Sequence, residues 1–98
     1  MSYGRVMGLN IYNDDIYALY RQEITPILKS YGGKFGYDFK IAEVLKSRTK
    51  NNINRVFTIE FPTETAMDKF FNDPTYIKVK NNYFDAAVDA KTVIATYE

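Results

Sequence analysis

The chain contains no cysteine, no histidine and no tryptophan. Without the first two there are no disulfides, no thiol nucleophile, no imidazole base and no zinc site of the usual kind. Charge of one sign is missing too. The 13 Lys and Arg residues stand against 12 Asp and Glu, a formal net charge of +1, so bulk electrostatics point to neither nucleic acid nor a membrane. No uninterrupted apolar run approaches the roughly 20 residues that span a bilayer. The opening Met1-Ser2-Tyr3-Gly4-Arg5-Val6 has no apolar signal core and no cleavage site. A cytoplasmic location is therefore expected, with no membrane partner.

What is present is a chain of 98 residues, 46% hydrophobic and 16% aromatic, enough to bury one modest core and expected to form a single domain over residues 1–98. Arg5 to Tyr12 alternates as a strand, with Met7, Leu9 and Ile11 on one face. Asn13-Asp14-Asp15 supplies a cap and first-turn carboxylates for a helix whose buried stripe is Tyr17, Tyr20, Ile24, Ile27 or Leu28, and Tyr31. Pro26 is expected to kink that helix, and Gly32-Gly33 to end it. A second strand reads from Lys34 to Leu45, with Phe35, Tyr37, Phe39, Ile41, Glu43 and Leu45 sharing a face. Residues 46–52 form a polar loop, and Arg55 to Phe61 a third strand. Thr63 caps one helix, Asp73-Pro74 opens another containing Tyr76, Ile77, Tyr83 and Phe84, and Lys91 to Tyr97 is a closing strand.

This order is β-α-β-β-α-(α)-β, the ferredoxin-like arrangement of a four-stranded antiparallel sheet with helices on one face. The other face would carry either Val6, Tyr12, Val44, Val56 and Ile94 or the more apolar odd-numbered set, too apolar to stand in water. A second copy of the chain is the simplest cover, which predicts a homodimeric α/β barrel.

Glu43 interrupts an apolar strand face, and Arg55 begins the matching face of the next strand. A turn centred on Thr49 sets Glu43 opposite Arg55 and Ile41 opposite Phe57, predicting an ion pair. That pair either lets a strand end meet solvent or forms a clamp in which Arg55 binds a ligand's negative charge and Glu43 orients it. Tyr12, Tyr17 and Tyr37 are candidates to present a hydroxyl to a pocket, although tyrosines at such spacings more often pack in a core. The carboxylates are spaced as caps and solvated faces, so no metal and no cofactor is expected. An RNA-recognition motif shares the strand order, but Arg55-Val56-Phe57-Thr58-Ile59-Glu60-Phe61 lacks its glycine and is one residue short, and Met7 stands where the first strand needs a stacking aromatic. No nucleic-acid partner is expected.

Several segments together resemble a small bacterial family numbered 1330 among domains of unknown function. They are Pro26-Ile27-Leu28-Lys29-Ser30-Tyr31-Gly32-Gly33-Lys34-Phe35, then Glu43-Val44-Leu45, Arg55, Ile59-Glu60-Phe61-Pro62-Thr63 with Ala66, and Asp73-Pro74-Thr75-Tyr76. The resemblance implies a dimeric α/β barrel, in a superfamily that includes cofactor-independent monooxygenases, haem-degrading enzymes and isomerases. In the family pattern the glutamate and arginine correspond to Glu43 and Arg55. The expected function is that of a small-molecule-binding protein or cofactor-independent enzyme; the alternative is a non-catalytic homodimeric interaction module.

Overall fold

Alternation of apolar and polar residues produces four strands, and caps produce the helices between them. The computed structural model describes residues 2–98. Its elements are β1 (Tyr3–Ile11), α1 (Asp14–Ser30), β2 (Lys34–Lys40), β3 (Arg55–Phe61), α2 (Glu64–Phe71), α3 (Pro74–Val79), a π-helical turn (Lys80–Phe84), α4 (Asp85–Ala87) and β4 (Val88–Tyr97). The sheet is antiparallel with strand order β2-β3-β1-β4, as the ferredoxin-like reading requires.

Each cap works as its chemistry dictates. Asn13 Oδ1 accepts from the Ile16 amide at 3.0 Å, Thr63 Oγ1 from Ala66 at 3.1 Å, and Asp73 Oδ1 from Thr75 and Tyr76 at 2.8 and 3.1 Å. At the far end of α1, Gly32 has φ +75°, the left-handed turn a side chain resists, and the Gly33 amide closes back on the Leu28 carbonyl. Pro26 lies inside α1 without dividing it.

The core lies between the sheet and the helices. Met7, Leu9 and Ile11 of β1 and Phe57, Ile59 and Phe61 of β3 meet Tyr17, Tyr20, Ile24 and Leu28 of α1, Met67 and Phe70 of α2, and Tyr76 of α3. Phe70 is fully buried and stacks among Phe61, Phe71, Tyr31 and Tyr76, with ring centroids 4.5–6.2 Å away.

Two features of β2 differ from the alternation expected over Lys34 to Leu45. The strand ends at Lys40, and its register breaks between Phe35 and Asp38. Phe35 pairs with Ile59, whereas Asp38 pairs with Phe57 and Lys40 with Arg55, so one extra residue is absorbed at Gly36-Tyr37. Gly36 permits this bulge because a Cβ there would lie 2.6 Å from Thr58 Oγ1, the atom that accepts the Tyr37 amide at 2.8 Å. Beyond the bulge the faces exchange: Asp38 turns towards the helices, while Tyr37 and Phe39 stack on each other on the open face. At the strand's end the Ile41 amide still donates to the Asn54 carbonyl at 2.8 Å, and Asn54 also fixes the segment to β1. The Asn54 side chain bonds both the amide and the carbonyl of Ile11, its amide bonds the Leu9 carbonyl, and Ile53 packs over Gly8. The segment before β3 is thus drawn towards β1.

Replacing Phe70 with alanine is expected to lower stability by about 3–5 kcal/mol, through lost burial and the cavity left behind. Urea denaturation followed by circular dichroism measures it.

Candidate functional site

Side chains from all four strands, α1, α2, α3 and the π-helical turn line a partly open cavity of about 310 Å³ between the sheet and the helices. Its walls are mainly apolar and aromatic: Met7, Leu9, Ile24, Phe35, Phe57, Ile59, Phe71 and Phe84. Four cations, Arg5, Arg21, Lys80 and Lys91, line it against one carboxylate, Asp68. Two of these cations are already matched elsewhere, Arg21 by Asp38 at 3.2 Å and Lys80 by Asp85 at 3.1 Å. Arg5 and Lys91 have no carboxylate partner among the described residues.

Arg5 is the unusual one. Its position in β1, opposite Ile59 and Thr96, puts it on the same face as Met7 and Leu9. The guanidinium carbon sits 5.7 Å from the centre of the Phe71 ring. Its Nε is buried and has no hydrogen-bond partner. A buried donor on a charged group is costly to leave unpaired, and the Arg5 side chain is among those that line the cavity.

One wall is made rigid by Asp38. Arg55 binds its carboxylate in a two-pronged pair, Nε to Oδ1 at 2.7 Å and Nη2 to Oδ2 at 2.8 Å, and Arg21 approaches from α1. Arg21 Nε also donates to the Tyr17 hydroxyl at 2.7 Å, while its planar head lies 3.9 Å from the centre of Phe35 and 4.7 Å from that of Phe57. The hydrogen bonds from Arg55 hold the Asp38 carboxyl below its ordinary range, and the same contacts raise Arg55. A second carboxylate, Asp14, also acts on Arg55 from a neighbouring hollow.

Phenols provide the remaining polar atoms. Tyr20 and Tyr76 lie with their hydroxyl oxygens 3.0 Å apart. Burial raises both, and raises Tyr17 against the opposing pull of Arg21. All three therefore remain protonated at neutral pH, donors and not bases.

The residues expected from sequence are distributed differently. Tyr17 lines the cavity at 2% exposure. Arg55 stands beside it, in the Asp38 clamp and on the edge of a hollow of about 170 Å³ shared with Asp14, Lys40 and Asn54. The Glu43–Arg55 ion pair does not form: Lys40, not Glu43, is opposite Arg55, and Glu43 lies exposed beyond the end of β2. Tyr12 and Tyr37 are 61% and 65% exposed and do not line the cavity. Arg5, Arg21, Asp38, Tyr20 and Tyr76 were not among the sequence candidates. Among the described residues no group of three or more Asp or Glu side chains is placed to hold a metal ion. Likewise, no helix is long and apolar enough to cross a membrane.

The sequence pattern of a family described as a domain of unknown function (DUF1330) matches residues 5–97. No curated protein matches the chain. Among solved structures, a protein of unknown function from Rhodopseudomonas palustris superposes with a TM-score of 0.79 at 21% identity, covering 98% of this chain and 80% of that one. A Dabb family protein with a ferredoxin-like fold from Mesorhizobium loti gives 0.69 at 13%, covering 99% and 95%. A cofactor-independent oxygenase from Streptomyces nogalater gives 0.63 at 9%, covering 99% and 91%. The fold is that of the dimeric α/β-barrel proteins.

Converting Asp38 to asparagine leaves two guanidiniums sharing a neutral partner. With a third of the Asp38 side chain exposed, the expected loss at pH 7 is about 1–2 kcal/mol. Because the folded-state carboxyl is lowered, its contribution is complete above the unfolded value near pH 4 and disappears as pH falls through the folded value. The stability gap between Asp38→Asn and the parent is expected to be constant from about pH 6 to 8 and to close below about pH 4. Denaturant titrations at a series of pH values measure it.

Proposed function

Because the chain belongs to the DUF1330 family, with the fold of the dimeric α/β-barrel proteins, we propose that it is a homodimer binding a small organic acid in the cavity between sheet and helices. The observation that carries this reading is the buried, unpartnered Nε of Arg5 at a cavity whose walls are mainly apolar and aromatic and whose lining cations outnumber its one carboxylate. A carboxylate supplies the acceptor that Arg5 lacks, and the apolar walls take the hydrocarbon body. At about 310 Å³ the cavity is within the range of small-ligand sites, which favours a ligand over an interior filled with side chains.

The dimer follows from the open face of the sheet. Tyr37, Phe39 and Ile94 are large, exposed hydrophobic residues on β2 and β4; on the open face Tyr37 and Phe39 stack 5.9 Å apart and Ile94 lies over Gly8. A second copy presents the same apolar surface and buries both.

One observation favours a catalytic form of the same reading. Buried phenols held protonated in a cavity that Arg5 and Arg21 also line are donors suited to a developing oxyanion. The likeness in fold to the Streptomyces oxygenase agrees with such chemistry proceeding without a cofactor.

Titration with 4-phenylbutanoate, followed by amide chemical shifts, is the direct test. Shifts are expected to cluster on residues lining the cavity, and Arg5→Gln is expected to weaken binding at least tenfold, the loss of one charge-assisted contact. Unchanged affinity in that variant would overturn the assignment. Native mass spectrometry is expected to give a dimer, and Phe39→Asp a monomer that still binds the acid.

A further inference from the structure

The cavity holds a second hydrogen-bonding element that a simple acid does not use. Each phenol carries one proton, so the bond between Tyr20 and Tyr76 consumes one of two, whichever hydroxyl donates. The other has no acceptor among the described residues. Around the pair the surroundings are aromatic: Phe84 lies 5.1 Å from the Tyr20 ring and Phe70 4.5 Å from the Tyr76 ring. A donor enclosed in this way selects for a ligand that can accept.

Phe71 neighbours both elements: its ring centre is 5.7 Å from the Arg5 guanidinium carbon and 5.5 Å from the Tyr76 ring centre. Arg5, Tyr20 and Tyr76 line the same cavity. Resting on the acid-binding reading above, we propose that the ligand is an oxo acid. Its carboxylate is held by Arg5, and its carbonyl oxygen, several bonds away, accepts the spare phenolic proton of the Tyr20–Tyr76 pair. An unsubstituted fatty or aryl acid of the same length leaves that proton unpaired and binds less well.

The test compares two acids that differ only in the carbonyl, 4-oxo-4-phenylbutanoate and 4-phenylbutanoate, by isothermal calorimetry or amide chemical shifts. The wild-type protein is expected to favour the oxo acid about tenfold, the worth of one buried hydrogen bond. The double variant Tyr20→Phe/Tyr76→Phe is expected to bind the two acids equally, at the affinity the wild type shows for 4-phenylbutanoate. Removing both hydroxyls together leaves neither one orphaned, so the fold is expected to survive, and thermal melting checks it. A single variant is insufficient, since the remaining phenol keeps a proton. Arg5→Gln is expected to weaken both acids while preserving the tenfold preference.

If the wild type binds both acids equally and Arg5→Gln weakens both, the acid site stands and the oxo-acid inference is overturned. A preference that persists in the double phenylalanine variant overturns it as well. If neither acid binds the wild type at millimolar concentration, the acid-binding reading falls and this inference falls with it.

Discussion

Asp38 sits between two arginines, and much of the cavity's architecture depends on that arrangement. The carboxylate accepts a two-pronged pair from Arg55 on the neighbouring strand and a further contact from Arg21 on α1. It thereby ties the sheet to the helix layer at the edge of the cavity. Arg21 is fixed on three sides, by Asp38, by the Tyr17 hydroxyl and by the faces of Phe35 and Phe57. A side chain held in this way cannot swing inward to fill the cavity or to stand in for Arg5. The Arg21 head thus contributes no free donor, and the proposed recognition of an acid rests on Arg5, whose Nε has no protein acceptor.

That clamp exists because β2 is irregular. In a regular strand Asp38 would share a face with Lys34 and Gly36 and point away from α1. The extra residue at Gly36-Tyr37 reverses the faces, placing Asp38 beside Phe57 and exposing Tyr37 and Phe39 on the opposite side. One bulge therefore has two consequences. It turns a carboxylate towards the arginines of the helix face, and it enriches the open face in aromatic surface. The same local device serves both the cavity and the surface proposed to meet a second copy.

Strict periodicity was legible in the amino-acid sequence, and departures from it were not. β1, β3, α1 and α2 follow from alternation, helical spacing and caps at Asn13, Thr63 and Asp73, because in those elements burial alone decides which way each residue faces. β2 read as regular over Lys34 to Leu45, and this misplaced the partner of Arg55. Arg55 was rightly seen as a charge on an apolar face, but Glu43 was matched to it by counting from an assumed turn. The signal against that count was Gly36, a glycine inside a strand pattern, which often marks a bulge. Arg5 meets the criterion that singles out Glu43, a charge in register with Met7, Leu9 and Ile11. Tyr20 and Tyr76 come from helices 56 residues apart in sequence, and no local pattern announces that their hydroxyls meet.

The central strand connects the two proposed roles. Along β1, Arg5, Met7 and Leu9 face the cavity, while Val6 and Gly8 face the open side, where Ile53 already covers Gly8. The proposed association would cover the open face, on the opposite side of the sheet from the cavity, and β1 is the strand that carries both faces. On the cavity side, the polar groups that the proposed ligand would use are the unpartnered Arg5 Nε and the second phenolic proton of the Tyr20–Tyr76 pair, with Phe71 beside both side chains.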